Sequence, residues 1–249
     1  MRDKDSIIEG KNAIIEAYKA KKTIDRLFIL DGMKDYSLST ILRYAKKNDT
    51  VVDFVPKERL DEISEDKKHQ GVIAYIASYE YKTVDEILDI AKEKGEDPFL
   101  IILDEVVDPH NIGAVIRSAN CVGAHGVIVQ KRHSPGLTFT VAKASAGAIN
   151  YTPVAKVTNI SRTIDELKEK GFWFVCADMD GKSMYDLDLT GPIGLVIGNE
   201  GKGVSSLVKK ECDMIASIPI RGEIESLNAS VAAGVLSYEI LRQRINKTK

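Results

Sequence analysis

Residues 194–203 have the sequence GLVIGNEGKG, in which an apolar run ends abruptly in a loop with three glycines and one carboxylate. The apolar run predicts a buried β-strand, and the loop follows its carboxyl end. Glycine has no Cβ and tolerates positive φ, so its backbone can approach a ligand closely. Open α/β sheets bind ligands at the carboxyl ends of their strands, which predicts a binding site at this loop.

Two common nucleotide-binding motifs do not fit this loop. Gly198 and Gly203 have the spacing of a Walker A motif, but Val204 occupies the position of the phosphate-binding lysine. The loop does not match GxGxxG either. A nucleoside triphosphatase and a nucleotide-binding dehydrogenase therefore lose support, while a tight turn with a solvated Glu200 stays open as an alternative.

The composition is that of an ordinary globular protein, with 44% hydrophobic and 29% charged residues and a net charge of −2. No apolar run approaches the roughly 18 residues that a membrane helix needs, and the polar residues 1–5 predict no secretory signal. Cys121, Cys176 and Cys212 form no CxxC pair, so we expect buried or inert thiols and no metal site. We expect a cytoplasmic protein with no membrane partner; the charge neither favours nor excludes RNA.

The chain divides into segments of different character. Residues 1–78 predict a small alternating αβαβαβ domain that opens with a helix over 7–18. Residues 79–97 predict a linker and the first helix of the next domain. Residues 98–249 carry continuous apolar strands that alternate with helices, which predicts an α/β domain with a parallel sheet covered on both faces.

Two capping-box patterns predict helix starts in the second half. Residues 83–86 read TVDE and residues 163–166 read TIDE. Glycines at 95 and 171 predict where these helices end. Each predicted helix is followed by an apolar strand, as a parallel sheet requires.

A second polar loop follows the predicted strand at 99–103 and leads into a helix that carries Asn111 and Arg117. Asn111 could simply cap this helix. Arg117 is either an exposed surface residue or a phosphate clamp, and the residue type alone favours exposure. His110 is a possible general base, but no carboxylate or cysteine stands at a spacing that supports a triad.

A third block follows the predicted strand that ends near Ile218. Ser226 or Asn228 is expected to cap the next helix. That helix has alanine at 229, 232 and 233, which predicts that another backbone packs closely against it.

The three blocks together, in this order, resemble the SpoU (TrmH-type) branch of the SPOUT RNA methyltransferases. The matching motifs are NIGA at 111–114 with Arg117, IGNEGKG at 197–203, and IPI at 218–220 with SLNASVA at 226–232. Three blocks in fixed order are highly specific, and the likeness covers roughly residues 98–245. The first 78 residues also resemble the small ribosomal-protein-like (L30e-like) domain of the ribosomal-RNA members, with HQG at 69–71 near its end.

The resemblance implies an enzyme that uses S-adenosylmethionine, a trefoil knot in the C-terminal parallel sheet, and a homodimer formed through that domain. By resemblance, the catalytic residues are Asn111, Arg117, Glu200, Ser226 and Asn228. The cofactor would be held at Gly198, Asn199, Gly201, Ile218, Ile220 and Leu227. Because a guanidinium stays protonated, the expected role of Arg117 is to hold RNA phosphate and stabilise the developing alkoxide. Glu200 and Asn228 would orient groups around the ribose.

The nearest likeness is to enzymes that 2′-O-methylate a guanosine in large-subunit ribosomal RNA, so this RNA or its precursor is the expected partner. Three alternatives stay open: a transfer-RNA 2′-O-methyltransferase, a drug-resistance ribosomal methyltransferase, and a non-catalytic RNA-binding or ribosome-assembly protein on the same fold. Lysine pairs at 21–22 and 46–47 are either RNA-binding patches or solvated helix ends.

Overall fold

The computed structural model describes residues 7–64 and 66–247, so the polar residues 1–5 lie outside the described residues. The chain forms two compact units. The first contains the described residues through Glu80 together with Gly136–Phe139, and the second contains Tyr81–Pro135 together with the described residues from Thr140. Across both described ranges, no helix combines the length and the apolar character needed to cross a lipid bilayer.

The first unit is a four-stranded sheet with three helices. Its elements are β1 (Ile7–Glu9), α1 (Lys11–Lys19), β2 (Ile24–Leu30), α2 (Tyr36–Lys47), β3 (Val51–Val55), α3 (Lys57–Ile63) and β4 (Val72–Ile76). The strand order is β1-β4-β2-β3, with β2 parallel to β3 and β4 antiparallel to both β1 and β2. The helix predicted over 7–18 is wrong in its first turn, because Gly10 at φ 89° separates a short strand from the helix.

Alternation along the strands covers both faces of this first sheet. Leu27 and Ile29 face α1 and α2, where they pack with Ile14 and Ile41. Phe28, one position along the same strand, packs instead with residues of α3. Successive strand side chains point to opposite faces, so one apolar strand supplies two cores.

The second unit is built on a six-stranded sheet. Its elements are α4 (Val84–Lys94), β5 (Phe99–Leu103), α5 (Pro109–Cys121), β6 (Gly126–Gln130), α6 (Phe139–Ala144), β7 (Val154–Val157), α7 (Ile160–Lys168), β8 (Trp173–Ser183), β9 (Ile193–Ile197), α8 (Ser206–Glu211), β10 (Met214–Ser217) and α9 (Ala229–Lys247). The strand order is β10-β8-β9-β5-β6-β7, and every neighbouring pair is parallel. The predicted parallel sheet is confirmed. The strand β7 was not among the predicted strands, because its four residues include a lysine and the loop before it contains a tyrosine and a proline.

The first predicted capping box is confirmed. The Thr83 hydroxyl accepts a hydrogen bond from the Glu86 N–H at 3.2 Å, and the Glu86 carboxylate accepts from the Thr83 N–H at 2.6 Å. Gly95 ends this helix in the left-handed conformation at φ 67°. Local sequence therefore decides both ends of α4.

The second capping box is wrong. The helix α7 begins one turn earlier, where the side chain of Asn159 accepts a hydrogen bond from the Arg162 N–H at 3.0 Å. Thr163 lies inside the helix and donates its hydroxyl to the Asn159 carbonyl at 2.9 Å. A threonine within a helix can bond the preceding turn in this way, so the same four-letter pattern does not identify a unique start.

Helices α5 and α9 pack against each other through small residues. A Cβ added at Gly234 would lie 3.5 Å from the Ser118 hydroxyl, and Ala233 is fully buried. On its other side, α5 meets α6 so closely that a Cβ at Gly113 would lie 2.4 Å from the Ala144 side chain. The close packing predicted from the alanines of α9 is present.

Since all six strands of the second sheet are parallel, the loops that follow them lie at one edge. The three candidate blocks fall after β5, β9 and β10 at this edge. The cysteines are free: Cys176 is buried, Cys212 is partly buried and Cys121 is exposed on α5. Of the two expected alternatives, buried or inert, burial applies to Cys176 and not to Cys121.

Candidate functional site

A cavity of about 610 Å³ opens at the carboxyl edge of the second sheet. Its walls come from the segments that follow β8, β9 and β10 and from the start of α9. The lining residues are 177–180, 197–203, 216–220, 225–227, Ala229 and Ala232. The volume is in the range of cavities that hold a small cofactor.

The glycine loop forms one wall, and its shape comes from bonds within the loop. Asn199 and Gly203 exchange two backbone hydrogen bonds of 3.0 and 2.9 Å. A Cβ at residue 198 would lie 2.1 Å from the carbonyl carbon of Gly203, so Gly198 is required by the chain's own backbone. Gly203 adopts φ 68°, a backbone conformation that favours glycine. Gly201 is under no such constraint, because a Cβ there would meet only the Asn199 side chain, at 3.6 Å.

The Asn199 side chain closes this loop from inside. Its carbonyl oxygen accepts from the N–H groups of Gly201 and Lys202 at 2.9 and 3.2 Å. Its amide nitrogen donates to the Glu105 carbonyl at 3.1 Å. The loop is therefore tied to the segment that follows β5.

Asp104 is a buried anchor beneath the loop that sequence reasoning missed. One carboxylate oxygen accepts from the Ser205 N–H at 2.7 Å, and the other accepts from the Gln130 amide at 3.3 Å. Asp104, which directly follows β5, is thus bonded to the segment after β9 and to the last residue of β6. An acidic residue directly after five buried apolar residues was the signal available in the sequence.

The Asn111 block and the glycine loop meet through one hydrogen bond. The Asn111 amide nitrogen donates to the Glu200 carboxylate. Asn111 is buried and does not cap α5; that position belongs to Asp108, whose carboxylate accepts from the His110 N–H at 2.9 Å. Because Asn111 stands in the first turn of the helix, its side chain is held next to the cavity wall.

The five residues expected to be catalytic are not all brought together. Glu200 and Ser226 line the cavity, and Asn111 touches it through Glu200. Arg117 is exposed on α5 and lies outside the lining, and Asn228 also lies outside it. Asn228 caps α9, since its side-chain oxygen accepts from the Ser230 N–H at 2.9 Å.

The six residues expected to hold the cofactor all lie in the cavity wall. They are Gly198, Asn199, Gly201, Ile218, Ile220 and Leu227. Ile220 and Leu227 leave 39% and 41% of their surface exposed, so the cavity offers apolar contact area to a ligand.

A bulge in β8 supplies the remaining wall. The strand pairs with β10 up to Cys176 and again from Lys182, with a register shift between these points. The intervening residues leave the pairing and face the cavity, and Gly181 permits this because a Cβ there would lie 2.5 Å from the Ile215 carbonyl oxygen. Bulges of this kind redirect side chains next to binding sites.

Asp178 stands in that bulge and forms an ion pair with Lys209 at 2.7 Å. Its second oxygen accepts from the Asp180 N–H at 3.0 Å. Partial burial pulls the pKa of Asp178 upward, but the Lys209 ammonium and the backbone N–H outweigh it and hold the pKa below its usual range. The sequence did not predict a role for Asp178, because no local residue pattern indicates a bulge.

Comparison with known proteins identifies both parts of the chain. The family model described as "SpoU rRNA Methylase family" matches residues 98–238. A second model, described as "RNA 2'-O ribose methyltransferase substrate binding", matches residues 7–82.

Known proteins match between two thirds and nearly all of this chain. YacO of Bacillus subtilis (strain 168), whose name places it in the TrmH family of tRNA/rRNA methyltransferases, is 44% identical over 98% of this chain and 98% of its own. The SpoU methyltransferase AviRb from Streptomyces viridochromogenes, crystallised with the cofactor AdoMet, is 27% identical with a TM-score of 0.61, covering 96% of this chain and 90% of its own. The A. aeolicus TrmH/SpoU tRNA modifying enzyme, also 27% identical with a TM-score of 0.56, covers 66% of this chain and 86% of its own.

Proposed function

This chain belongs to the SpoU rRNA methylase family, and we propose that it methylates the 2′-hydroxyl of a guanosine in large-subunit ribosomal RNA. Family membership makes the protein an RNA ribose methyltransferase that uses S-adenosylmethionine. The observation that carries the proposal is the joint presence of a methylase domain with a cofactor-sized cavity and a domain that matches an RNA substrate-binding model.

The cavity fits S-adenosylmethionine in size and in chemistry. Its exposed apolar side chains, Ile220 and Leu227, suit an adenine ring. Its lining contains four carboxylates, of which Asp178 is paired with Lys209, and one ammonium, from Lys202. The carboxylates still outnumber the ammonium groups, which suits a ligand with a positively charged sulfonium and amino group. S-adenosylmethionine supplies a methyl group that a nucleophilic oxygen can accept from sulfur.

The chain's own residues bind the cofactor, orient the substrate ribose and stabilise the walls of the cavity. We assign the adenosyl moiety to the backbone at Gly198, Ile218 and Leu227, with Asn199 and Gly201 shaping the loop. Asn111 orients the Glu200 carboxylate, which faces the cavity and positions the ribose. Ser226 offers a hydroxyl at the same wall, and Asn228 holds the first turn of α9 beside it.

Arg117 lies outside the cavity lining of its own chain, and we propose that it reaches the cavity of a second copy. A stripe of exposed apolar residues spaced seven apart runs along α9: Val231, Tyr238 and Ile245 are 49%, 54% and 50% exposed. Gly234, on the same face, packs beside Ser118, the neighbour of Arg117. A homodimer through this face would bury the stripe and carry Arg117 of one copy toward the cavity of its partner, where it would hold RNA phosphate and stabilise the developing alkoxide.

The dimer is tested with Tyr238→Glu, which places a charge in the middle of the stripe. Light scattering after size-exclusion chromatography should show a dimer for the wild type and a monomer for the variant, with loss of methyl transfer. A monomeric wild type with full activity would contradict the dimer.

The catalytic assignment is tested with Arg117→Ala and Glu200→Gln. We expect roughly a hundredfold loss of kcat for Arg117→Ala, because oriented charge at the reacting oxygen typically contributes that much, and about tenfold for Glu200→Gln. Arg162→Ala is the matched control, since Arg162 is an exposed arginine that pairs with Glu166 on α7. Cofactor binding is measured separately by calorimetry; near-wild-type turnover in both variants would refute the assignment.

The layout of the chain supports ribosomal over transfer RNA. The likeness to the A. aeolicus tRNA modifying enzyme leaves about a third of this chain without a counterpart, a share the size of the N-terminal unit. We propose that residues 1–78 read RNA, that 79–97 join the domains, and that 98–249 carry the chemistry. A cytoplasmic location follows from an RNA target of this kind.

The RNA class is tested with the purified protein, labelled S-adenosylmethionine, and separate pools of large-subunit ribosomal RNA, its precursor particle and transfer RNA. We expect label in one guanosine ribose of the large-subunit RNA, and loss of that mark in a strain of the source organism that lacks the gene. Label confined to transfer RNA would overturn the ribosomal target, and no label in any pool with intact cofactor binding would favour a non-catalytic RNA-binding role.

We also propose that the second unit is knotted, as the resemblance implies. The support is that the chain after β10 lies against the loop after β9, since both line one cavity. Pulling the chain from both termini tests this, because a tightened knot retains residues and shortens the fully extended length. A full-length extension would contradict the knot.

A further inference from the structure

The cavity lining contains four carboxylates, and one of them differs from the rest in its surroundings. They belong to Asp178, Asp180, Glu200 and Glu225. Asp180, Glu200 and Glu225 are exposed residues, whereas the Asp178 side chain keeps only 20% of its surface in contact with solvent. Asp178 therefore has the most shielded of the four carboxylates in the lining.

Asp178 is held in place before any ligand arrives. Lys209 binds one carboxylate oxygen at 2.7 Å and the Asp180 N–H binds the other at 3.0 Å. The bulge that carries Asp178 is closed by Gly181, which the Ile215 carbonyl approaches too closely for any larger residue. A side chain fixed from two directions loses little conformational freedom on binding a ligand.

The ion pair also decides which ligand groups suit this carboxylate. Lys209 neutralises most of the negative charge, so Asp178 is a weak attractor for a distant cation. A carboxylate can accept about four hydrogen bonds, and Asp178 uses one on each oxygen. It retains acceptor capacity for two neutral donors placed side by side, which is the pattern of the two hydroxyls on a ribose.

We propose that Asp178 accepts hydrogen bonds from the ribose hydroxyls of the adenosyl cofactor and that Lys209 is the positioning residue that holds it there. Carboxylates bind ribose hydroxyls in the same way in dinucleotide-binding folds. This inference rests on the proposed cofactor site. It leaves Glu200, which Asn111 already engages, to the RNA side of the reaction.

The test uses calorimetry with S-adenosylhomocysteine, which carries the ribose but no sulfonium charge. We expect Asp178→Asn to weaken binding about tenfold or more, and Lys209→Met to weaken it by about threefold. With an analogue that lacks both ribose hydroxyls, wild type and Asp178→Asn should differ by less than twofold. An equal loss for both ligands would show that Asp178 only supports the wall and would overturn the inference, as would unchanged binding.

Asp188→Asn is the matched control. Asp188 caps a turn in the same manner, with its carboxylate accepting from the Thr190 N–H at 3.0 Å, but it does not line the cavity. The Asp188→Asn variant should bind S-adenosylhomocysteine as tightly as wild type does. Weaker binding of S-adenosylmethionine with unchanged binding of S-adenosylhomocysteine would place Asp178 at the sulfonium and overturn the inference. Failure of the wild type to bind either compound would refute the cofactor site itself, so the two failures are distinguishable.

Discussion

The two loops that face each other across the cavity are built in opposite ways. The wall at 197–203 is closed by its own backbone bonds and anchored from below by Asp104. The wall at 219–227 is exposed at every position, and within the described chain these residues form no hydrogen bond. Only at Asn228 does bonding resume, at the start of α9.

This difference separates residues that stabilise the folded protein from residues that are available to bind a ligand. A wall whose polar groups are satisfied internally contributes to the folded state whether or not a ligand is present. A wall of exposed apolar residues such as Ile220 and Leu227 gains burial only when something covers it. Substitutions in the first wall should therefore change both unfolding and binding, and substitutions in the second should change binding alone.

The largest effect is expected for Gly198→Ala. The added methyl would overlap the Gly203 backbone at 2.1 Å, so the loop must open, at a cost of about 3 kcal/mol in the free energy of unfolding. Urea denaturation measures this, and calorimetry should show loss of S-adenosylhomocysteine binding. Gly201→Ala is the control, with a change under about 0.5 kcal/mol because its Cβ meets nothing closer than 3.6 Å. Equal effects for the two variants would break the distinction between the walls.

Asp104→Ala should follow, with a loss of about 2 kcal/mol. It leaves the Ser205 N–H and the Gln130 amide without an acceptor beneath the loop. Denaturation of the variant is compared with Asp89→Ala, an exposed aspartate on α4 that should change stability little. If Asp104→Ala unfolds like wild type, the first wall does not depend on its anchor.

Leu227→Ala probes the second wall. Because Leu227 is 41% exposed, its truncation should leave the free energy of unfolding within about 0.5 kcal/mol of wild type. Covering the exposed part of this side chain would contribute about 1 kcal/mol, so S-adenosylhomocysteine should bind roughly fivefold more weakly. A large loss of stability would show that the second wall is as rigid as the first.

At the boundary of the second wall, we expect an effect similar in size to the loss of binding in Leu227→Ala. Asn228→Ala removes the cap of α9 and should lower the free energy of unfolding by about 1 kcal/mol, whereas Asn228→Asp retains a capping oxygen and should not. Methyl transfer by the aspartate variant then separates capping from chemistry. Full activity in Asn228→Asp would reduce Asn228 to a structural residue.

Local patterns predicted the elements well where one short-range interaction dominates. The capping box at Thr83 and the left-handed Gly95 are confirmed, as is the run of buried strands that predicts a parallel sheet. The pattern at Thr163 failed because Asn159, one turn earlier, offers a competing cap. The short β1 was not predicted because its two isoleucines and one glutamate before Gly10 fit a helix as well as a strand.

The candidate site was predictable as a set of segments but not as a set of contacts. Parallel strands bring the segments after β5, β9 and β10 to one edge, so the sequence placed Glu200 and Ser226 near one another. It did not predict the bond from Asn111 to Glu200, the anchor at Asp104 or the ion pair at Asp178. These depend on the distance between strands and on a bulge, which are set by packing across positions far apart in the chain.

The sequence by itself determined the two-part organisation, the parallel sheet and the family, because apolar periodicity and motif order are properties of residues close together along the chain. Tertiary structure decided which backbone fills the space beside Gly198, which carboxylate is shielded within the cavity, and that Arg117 lies outside the cavity of its own chain. The reason is physical: exposure and hydrogen-bond geometry depend on which surfaces meet after folding. The glycine loop was identified from its amino-acid sequence, but its conformation is set by hydrogen bonds within the loop and by the residues packed against it.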